Sequence, residues 1–224
     1  EAESGPLFKQ VRAIFGNISV HFDKGGTSCA TVRKQGALAR RRDFSASFTA
    51  SVPGGEVCTL VSLPGVFCHR RPDAGGLALA EVAARDLQPN QRVLDMGCGC
   101  GIVGILAAKS QPTVRATFID SHARALSATH RNLAATGIEK AELVLSDEGT
   151  VKTGFHLFAG HPPYYSDFRI ADLFLRTARA ALRTGGTCLM VAKAARAMEA
   201  LQLEHFGNAE IVPRRGYGVV KSTR

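Results

Sequence analysis

Arg92-Val-Leu-Asp-Met-Gly-Cys-Gly-Cys-Gly-Ile-Val-Gly104 is the stretch whose reading decides the fold. Val93 and Leu94 form a short apolar run that ends at Asp95. Gly97, Gly99 and Gly101 follow, and apolar residues at helical spacing begin at once with Ile102, Val103, Ile105 and Leu106. That order reads as strand, tight turn and helix, the opening of a βαβ unit. Glycines suit such a turn because the backbone must reach positive φ and leave bare main chain against a ligand.

The stretch satisfies two ligand patterns. Gly99-x-Gly101-x-x-Gly104 matches the dinucleotide fingerprint, and Asp120 stands about twenty residues on, as that fingerprint asks. The same residues also spell Asp95-x-Gly97-x-Gly99-x-Gly101. A dinucleotide places its pyrophosphate at the helix N-terminus, where a carboxylate at the strand end would repel it. S-adenosylmethionine (SAM) has no phosphate and offers an ammonium and a sulfonium, both of which Asp95 would favour. Asp120, with Ser121 beside it at the end of the next strand, would then accept from the ribose hydroxyls. SAM is the favoured ligand, the dinucleotide the alternative, and a tight turn with no ligand the plain structural reading.

Composition bounds the rest. At 224 residues, 45% hydrophobic and 21% charged, the chain suits one large globular domain or a domain with an extension. No apolar run approaches a bilayer-spanning length, and Glu1-Ala-Glu-Ser-Gly5 does not resemble a signal peptide. A start on Glu1 rather than methionine suggests that further residues lie upstream. The net charge of +9 points to a polyanionic partner. Cys29, Cys58, Cys68, Cys98, Cys100 and Cys188 are scattered without disulfide or zinc spacing, so reduced thiols in a cytoplasm are expected. Cys98 and Cys100 read as small residues fitting a crowded turn. His69, His122, His130 and His156 form no ligand spacing, so no metal is expected.

Upstream of the glycine turn, residues 1–43 are the least legible. Val11–Phe22 suggests a strand or two, and Gly25-Gly26 a loop. Arg40-Arg41-Arg42 is the densest basic cluster, either a solvated loop or a phosphate-contacting arm. Phe44–Ala50 and Val57–Leu63, separated by Pro53-Gly54-Gly55, form a hairpin signal. After Asp73 a helical pattern runs to Leu87. Downstream, helix and strand alternate: strands over 92–96, 114–120, 141–146, 155–160 and 187–192, and helices over 102–110, 122–136, 167–183 and 195–206. The helix at 167–183 is expected to end at Gly185-Gly186. Two closing strands near 209–213 and 217–221 should pair antiparallel, while the crossovers imply parallel neighbours. The expectation is an α/β, Rossmann-like, mostly parallel seven-stranded sheet with one antiparallel strand and helices on both faces. Ligands should sit above the carboxyl ends of its first and fourth strands.

The fourth strand ends in Gly160-His161-Pro162-Pro163-Tyr164-Tyr165. The glycine turn, the strand-ending Asp120 and a Pro-Pro-Tyr after the fourth strand resemble the class I SAM-dependent methyltransferases. More narrowly they are similar to those that methylate planar exocyclic nitrogens, whose signature is Asn/Asp-Pro-Pro-Tyr/Phe. Leu63-Pro64-Gly65-Val66-Phe67, followed by Asp73-x-Gly75, resembles the lead-in of the ribosomal RNA guanine 2-amino methyltransferases of the small-subunit methyltransferase C type. Gly216-Tyr217-Gly218-Val219-Val220-Lys221 resembles that family's last strand. The resemblance covers about residues 55–224. It divides the chain into a basic N-terminal extension with a β-hairpin, residues 1–62, and a methyltransferase domain, residues 63–224.

The resemblance implies a catalytic group at His161, Pro162, Pro163 and Tyr164. In the family pattern the Asn side chain and the first proline's carbonyl accept the amine's two protons, and the aromatic ring stacks on a flipped base. It implies a cofactor site at Asp95, Gly97, Cys98, Gly99, Gly101, Asp120 and Ser121, with Ser146 and Asp147 at the adenine or serving only as a turn. Phe67 and Asp73 would close over the pocket, unless Phe67 is simply core. Arg70, Arg71 and Arg169 flank the cleft and either hold phosphates or stay solvated. This chain departs from the pattern at His161, which stands where the family has Asn. A neutral imidazole accepts one hydrogen bond; a protonated one accepts none. Three readings stay open: a working site of altered geometry, a different substrate, or a silenced SAM binder. The expected substrate is a base amine in RNA, first of all guanine of small-subunit ribosomal RNA. The alternatives are a protein glutamine amide and a non-catalytic RNA-associated role.

Overall fold

The computed structural model describes residues 5–24, 27–36, 43–163 and 168–224. The Arg40–Arg42 cluster and the Gly25-Gly26 loop therefore lie outside the described residues. The chain divides into two units, Glu1–Asp43 and Phe44–Arg224.

In the first unit, the stretch Val11–Phe22, expected to be extended, begins inside a helix, α1 (Pro6–Phe15), and ends in a strand. Pro6 opens it, where a missing N–H costs nothing, and Gly16 closes it at φ 72° with its N–H donating to Arg12 O. The apolar residues Leu7, Val11 and Ile14 carry the 3.6-residue period, and these local start and stop signals outweigh the β-branched residues that suggested a strand. Strands β1 (Ser19–Lys24) and β2 (Thr27–Thr31) then pair antiparallel. Asn17 clamps the hairpin's base: its side chain accepts from the Arg33 N–H and donates to the Arg33 carbonyl, both at 2.8 Å.

The second unit opens with a hairpin, β3 (Ala46–Ala50) and β4 (Cys58–Ser62). Grouped with the extension in the sequence reading, this hairpin belongs to the larger unit, because Leu60 and Cys58 are buried in its core. Helix α2 (Ala74–Asp86) follows, capped by Asp73, whose carboxylate accepts from the Gly76 N–H. Then come β5 (Arg92–Met96), α3 (Ile102–Ser110), β6 (Arg115–Asp120), α4 (Ala123–Thr136), β7 (Ala141–Leu145) and β8 (Phe155–Gly160). The chain continues through α5 (Arg169–Ala181), β9 (Leu182–Ala192), α6 (Ala195–Phe206), β10 (Glu210–Arg214) and β11 (Tyr217–Thr223).

The central sheet has seven strands in the order β10-β11-β9-β8-β5-β6-β7. Only β11 runs against its neighbours; the pairs β9–β8, β8–β5, β5–β6 and β6–β7 are parallel. Alternate residues face opposite sides, as strands covered on both faces require. Val93, Phe118, Leu157 and Val191 pack with α2, α3 and α4, whereas Leu94, Ile119, Phe158 and Met190 pack with α5 and α6. The first strand of the series, β5, lies beside the fourth, β8, and the chain winds away from that junction in both directions. The topology thus opens a crevice at their carboxyl ends. Among the described residues no helix is long and apolar enough to cross a membrane.

One boundary differs from the sequence reading. Helix α5 stops at Ala181, and Gly185-Gly186 lie inside β9, where pairing with β8 shifts from Phe155–Leu182 to Leu157–Thr187. The extra residues form a bulge. Gly185, at φ 74°, donates to the Arg224 carbonyl, and the Arg224 N–H donates to Gly186 O.

The hairpin is fastened to the glycine turn through one side chain. Asn132 of α4 is fully buried, accepts from the Val61 N–H at 2.7 Å, and donates to Val61 O and Cys100 O, each at 2.8 Å. Asn132→Ala leaves the buried Cys100 carbonyl and the half-buried Val61 N–H and carbonyl without this partner, a loss of about 2 kcal/mol. Urea unfolding should show a lower midpoint with an unchanged m-value.

Candidate active site

A cavity of about 650 Å³ opens at the carboxyl ends of β5, β6, β7 and β8. Its wall begins with the glycine turn, where Gly97, Gly99 and Gly101 hold φ of 69°, 58° and 84°. The turn closes on backbone and carboxylate acceptors. Gly97 and Cys98 N–H both donate to Ile119 O, at 2.8 and 3.0 Å. Gly99 N–H donates to Asp120 Oδ2 and Gly104 N–H to Asp95 Oδ2, each at 2.9 Å. A Cβ on Gly104 would stand 2.4 Å from Phe118 Cε1, so helix α3 can lie this close to β6 only with glycine there. A Cβ on Gly99 would meet nothing nearer than Val66 Cγ1 at 4.0 Å. The bare backbone at Gly99 thus faces open space that a ligand can fill.

Asp120 lines the cavity. Its carboxylate reaches the cavity while Oδ1 accepts from the His122 N–H at 2.9 Å, so both oxygens are aimed by backbone donors. Ser121, Ser146 and Asp147 also line the cavity, as do Phe67, Gly97, Cys98, His161, Pro162 and Pro163.

Asp95 requires a correction. It is 2% exposed and does not line the cavity; its carboxylate turns back to the N-terminal turn of α3. Burial pushes its pKa up to about 7, against the Gly104 hydrogen bond and with help from the Asp120 charge. Its bearing on ligand choice therefore runs through the helix: a carboxylate already stands at the N-terminus where a pyrophosphate would lie. Gly101 likewise lies behind the wall, where its Cβ would stand 2.9 Å from Thr129 Cγ2. Tyr164 falls outside the described residues.

The remaining wall was not legible in the sequence as a site. Ile170, Leu173 and Phe174, on one face of α5, supply an apolar side, and their spacing alone reads as core. Arg71 lines the cavity; Arg70, at φ 80°, and Arg169 do not. Burial pushes the thiols of Cys98 and Cys100 up, the latter to about 11, so both stay protonated and act as small packing groups.

His161 is held on three sides. Its Nδ1 lies 3.0 Å from Asp73 Oδ2, and its ring stands edge-on to Phe67 and to Tyr217, with centroids 5.8 and 6.4 Å away. A Cβ on Gly75 would lie 2.6 Å from the imidazole Cε1, so glycine makes room for the ring. Phe67 is 66% exposed, which places it at the rim of the cavity rather than in the core.

The raised pKa of Asp95 sets a pH signature. A carboxyl that takes up its proton more readily folded than unfolded makes stability fall as pH rises from about 4 to about 7. Asp95→Asn keeps an acceptor for Gly104 and removes the titration. The variant's unfolding free energy minus that of wild type should therefore rise over this pH window and level off above it, measured by denaturant titration.

Comparison with known proteins agrees with this architecture. The methyltransferase small domain model matches residues 57–221. The ribosomal RNA small subunit methyltransferase C of Pseudomonas syringae pv. syringae is 32% identical over 157 residues, 68% of this chain and 47% of that protein. That of Cronobacter sakazakii is 29% identical over 187 residues, 81% of this chain and 54% of that protein. This chain thus spans about half the length of these relatives. A solved structure of the T. thermophilus 16S rRNA N2 G1207 methyltransferase (RsmC), in complex with AdoMet and guanosine, superposes with TM-score 0.83. It is 24% identical, over 97% of this chain and 60% of that one. That likeness establishes the Rossmann-like methyltransferase fold. With the family match running from the hairpin's second strand almost to the end of the sheet, the chain belongs to the methyltransferase small domain family.

Proposed function

We propose that this chain is the catalytic region of a SAM-dependent methyltransferase acting on an exocyclic amine of an RNA base, with guanine of small-subunit ribosomal RNA as first candidate. One observation carries the reading: the His161-Pro162-Pro163 turn opens into the same cavity as the glycine turn and Asp120. A carboxylate that would bind the nucleoside and a turn that would bind the amine thus flank the end of β5 from its two neighbouring strands.

The residues present fit SAM. Asp120 would accept from the ribose hydroxyls, Gly97 and Gly99 would let the chain lie against the ligand, and Ser146 and Asp147 would reach the adenine. Phe174 and Ile170 would cover apolar parts. When bound, SAM supplies a methyl group on a positively charged sulfur. A base amine is a poor nucleophile because its lone pair is delocalised into the ring. Acceptors at His161 and at the Pro162 carbonyl would draw its protons aside and aim the lone pair, a task of position and electrostatics. Two consecutive prolines stiffen that turn and donate no backbone N–H. The net charge of +9 favours a polyanionic substrate, and the names carried by the matched relatives support ribosomal RNA among these.

Radiolabelled methyl transfer from SAM to small-subunit particles and to naked ribosomal RNA tests the proposal. Wild type should label RNA. His161→Ala should lose about 10²-fold or more of the rate while retaining SAM affinity by calorimetry. SAM binding without label in any RNA would sink the reading, and label in a protein glutamine would replace it with amide methylation.

A further inference from the structure

The carboxyl edge of the central sheet carries opposite charge on its two flanks. On one flank β6 ends in Asp120, and β7 is followed by Ser146, Asp147 and Glu148. Asp120 and Asp147 line the cavity. Arg124, in the first turn of α4, directs its guanidinium to the Pro64 carbonyl at 2.9 Å.

The other flank is basic. Lys193 follows β9, Arg196 stands in the first turn of α6, and Arg214 and Arg215 lie at the turn from β10 into β11. Antiparallel pairing sets Gly218 opposite Ala192 and Arg214 opposite Tyr217, so these cations share the carboxyl edge. Glu199 pairs with Arg196, and Glu81 with Arg215. Lys193 lies over the Tyr217 ring at 5.6 Å, and Arg214 donates to the Pro213 carbonyl at 2.8 Å. Neither meets a carboxylate among the described residues.

This flank is continuous with the site. The Tyr217 ring stands edge-on to His161 and carries Lys193 over its other side chain contacts as a cation on a π face. From Lys193 a shallow groove runs to Arg196, floored by Ala194 and Ala195 and bordered by Ile211 and Pro213. Small side chains keep the groove low, and the Arg196 side chain beside it is 86% exposed.

We propose that this edge, from Lys193 to Arg196 and across to Arg214 and Arg215, is a docking track for the phosphate backbone of the single-stranded RNA that carries the target base. The inference rests on the RNA-methylation reading above and names the surface that would hold that substrate. With SAM's nucleoside at Asp120 and Asp147, the target base would enter from the β8 side, where Pro162 and Pro163 line the cavity. The strand flanking that base would then leave over β9 and β11, away from carboxylates that repel phosphate. Lysine and arginine attract phosphates without reading sequence, so the track sets position while the cavity selects the base. Lys193 and Arg214 have no carboxylate to give up, and Arg196 can exchange its exposed pair with Glu199 for a phosphate at little cost.

Binding of a short single-stranded RNA to the full chain, followed by fluorescence anisotropy at several salt concentrations, tests the inference. Lys193→Gln combined with Arg214→Gln should weaken binding roughly 10-fold or more near about 0.1 M salt. The slope of log affinity against log salt should shrink by about 1.4, at about 0.7 for each lost phosphate contact. SAM affinity by calorimetry should stay at the wild-type value, which reports an intact cavity. If the double variant loses SAM affinity, Lys193→Gln alone, at an exposed position, carries the same test with about half the slope change. For comparison, Arg115→Gln combined with Lys140→Gln removes two exposed cations from the amino edge of the sheet, at the starts of β6 and β7. That variant should keep the wild-type affinity and slope. In methyl transfer to ribosomal RNA at saturating SAM, the Lys193 and Arg214 variant should raise KM for RNA and leave kcat near wild type. Unchanged RNA affinity and slope in that variant overturn the inference, as does an equal loss in the amino-edge variant. The expected slopes without methyl transfer by wild type leave the track standing and fell the methylation reading. Methyl transfer by wild type with an unchanged KM in the Lys193 and Arg214 variant fells the track and leaves the methylation reading.

Discussion

The site depends on two carboxylates that hold the glycine turn shut from opposite sides. Asp120 accepts the Gly99 N–H and Asp95 the Gly104 N–H, so the turn between β5 and α3 is fastened at its apex and at its far end. A turn with three glycines at positive φ has much conformational freedom to lose, and directional bonds to two carboxyl acceptors are what can offset that loss. Because Asp120 also reaches the cavity, the bond that shapes the turn also aims the group that would meet a ribose. Asp95 is spent inside the protein, at the cost of a carboxyl buried beyond water's reach.

Around this turn the fold works as a scaffold of opposed faces. Sheet residues alternate between two apolar clusters, and Asn132 carries the β3–β4 hairpin's edge into the same polar network that ends at Cys100. The hairpin therefore belongs with the sheet's helices and backs the cavity, where Phe48 joins the wall. The Asp73–His161 pair extends the logic to the fourth strand's end: a helix cap, a loop thiol and an imidazole share one carboxylate. The helix cap and the candidate site draw on the same few polar atoms there.

Most of the architecture was legible because it rests on local signals. Glycines after a strand, a helix period of 3.6 and an acid at a strand end are each visible within a few residues. The helix α1 was missed where β-branched residues outweighed the Pro6 and Gly16 boundary signals in the reading. The end of α5 was misplaced because Gly185-Gly186 looks like a helix stop, whereas pairing with Arg224, distant in sequence, makes it a bulge.

The candidate site divides in the same way. By itself the sequence determined the sheet order's switch point, the glycine turn, Asp120, and the departure at His161, because each is a matter of residue type and spacing along one strand or turn. Only the tertiary structure decided where side chains aim. It turned Asp95 inward, brought Ile170 and Phe174 from α5 to the cavity, and set Asp73 against His161 across 88 residues of chain. Direction and long-range pairing depend on how the helices pack on the sheet, and no local pattern records that packing.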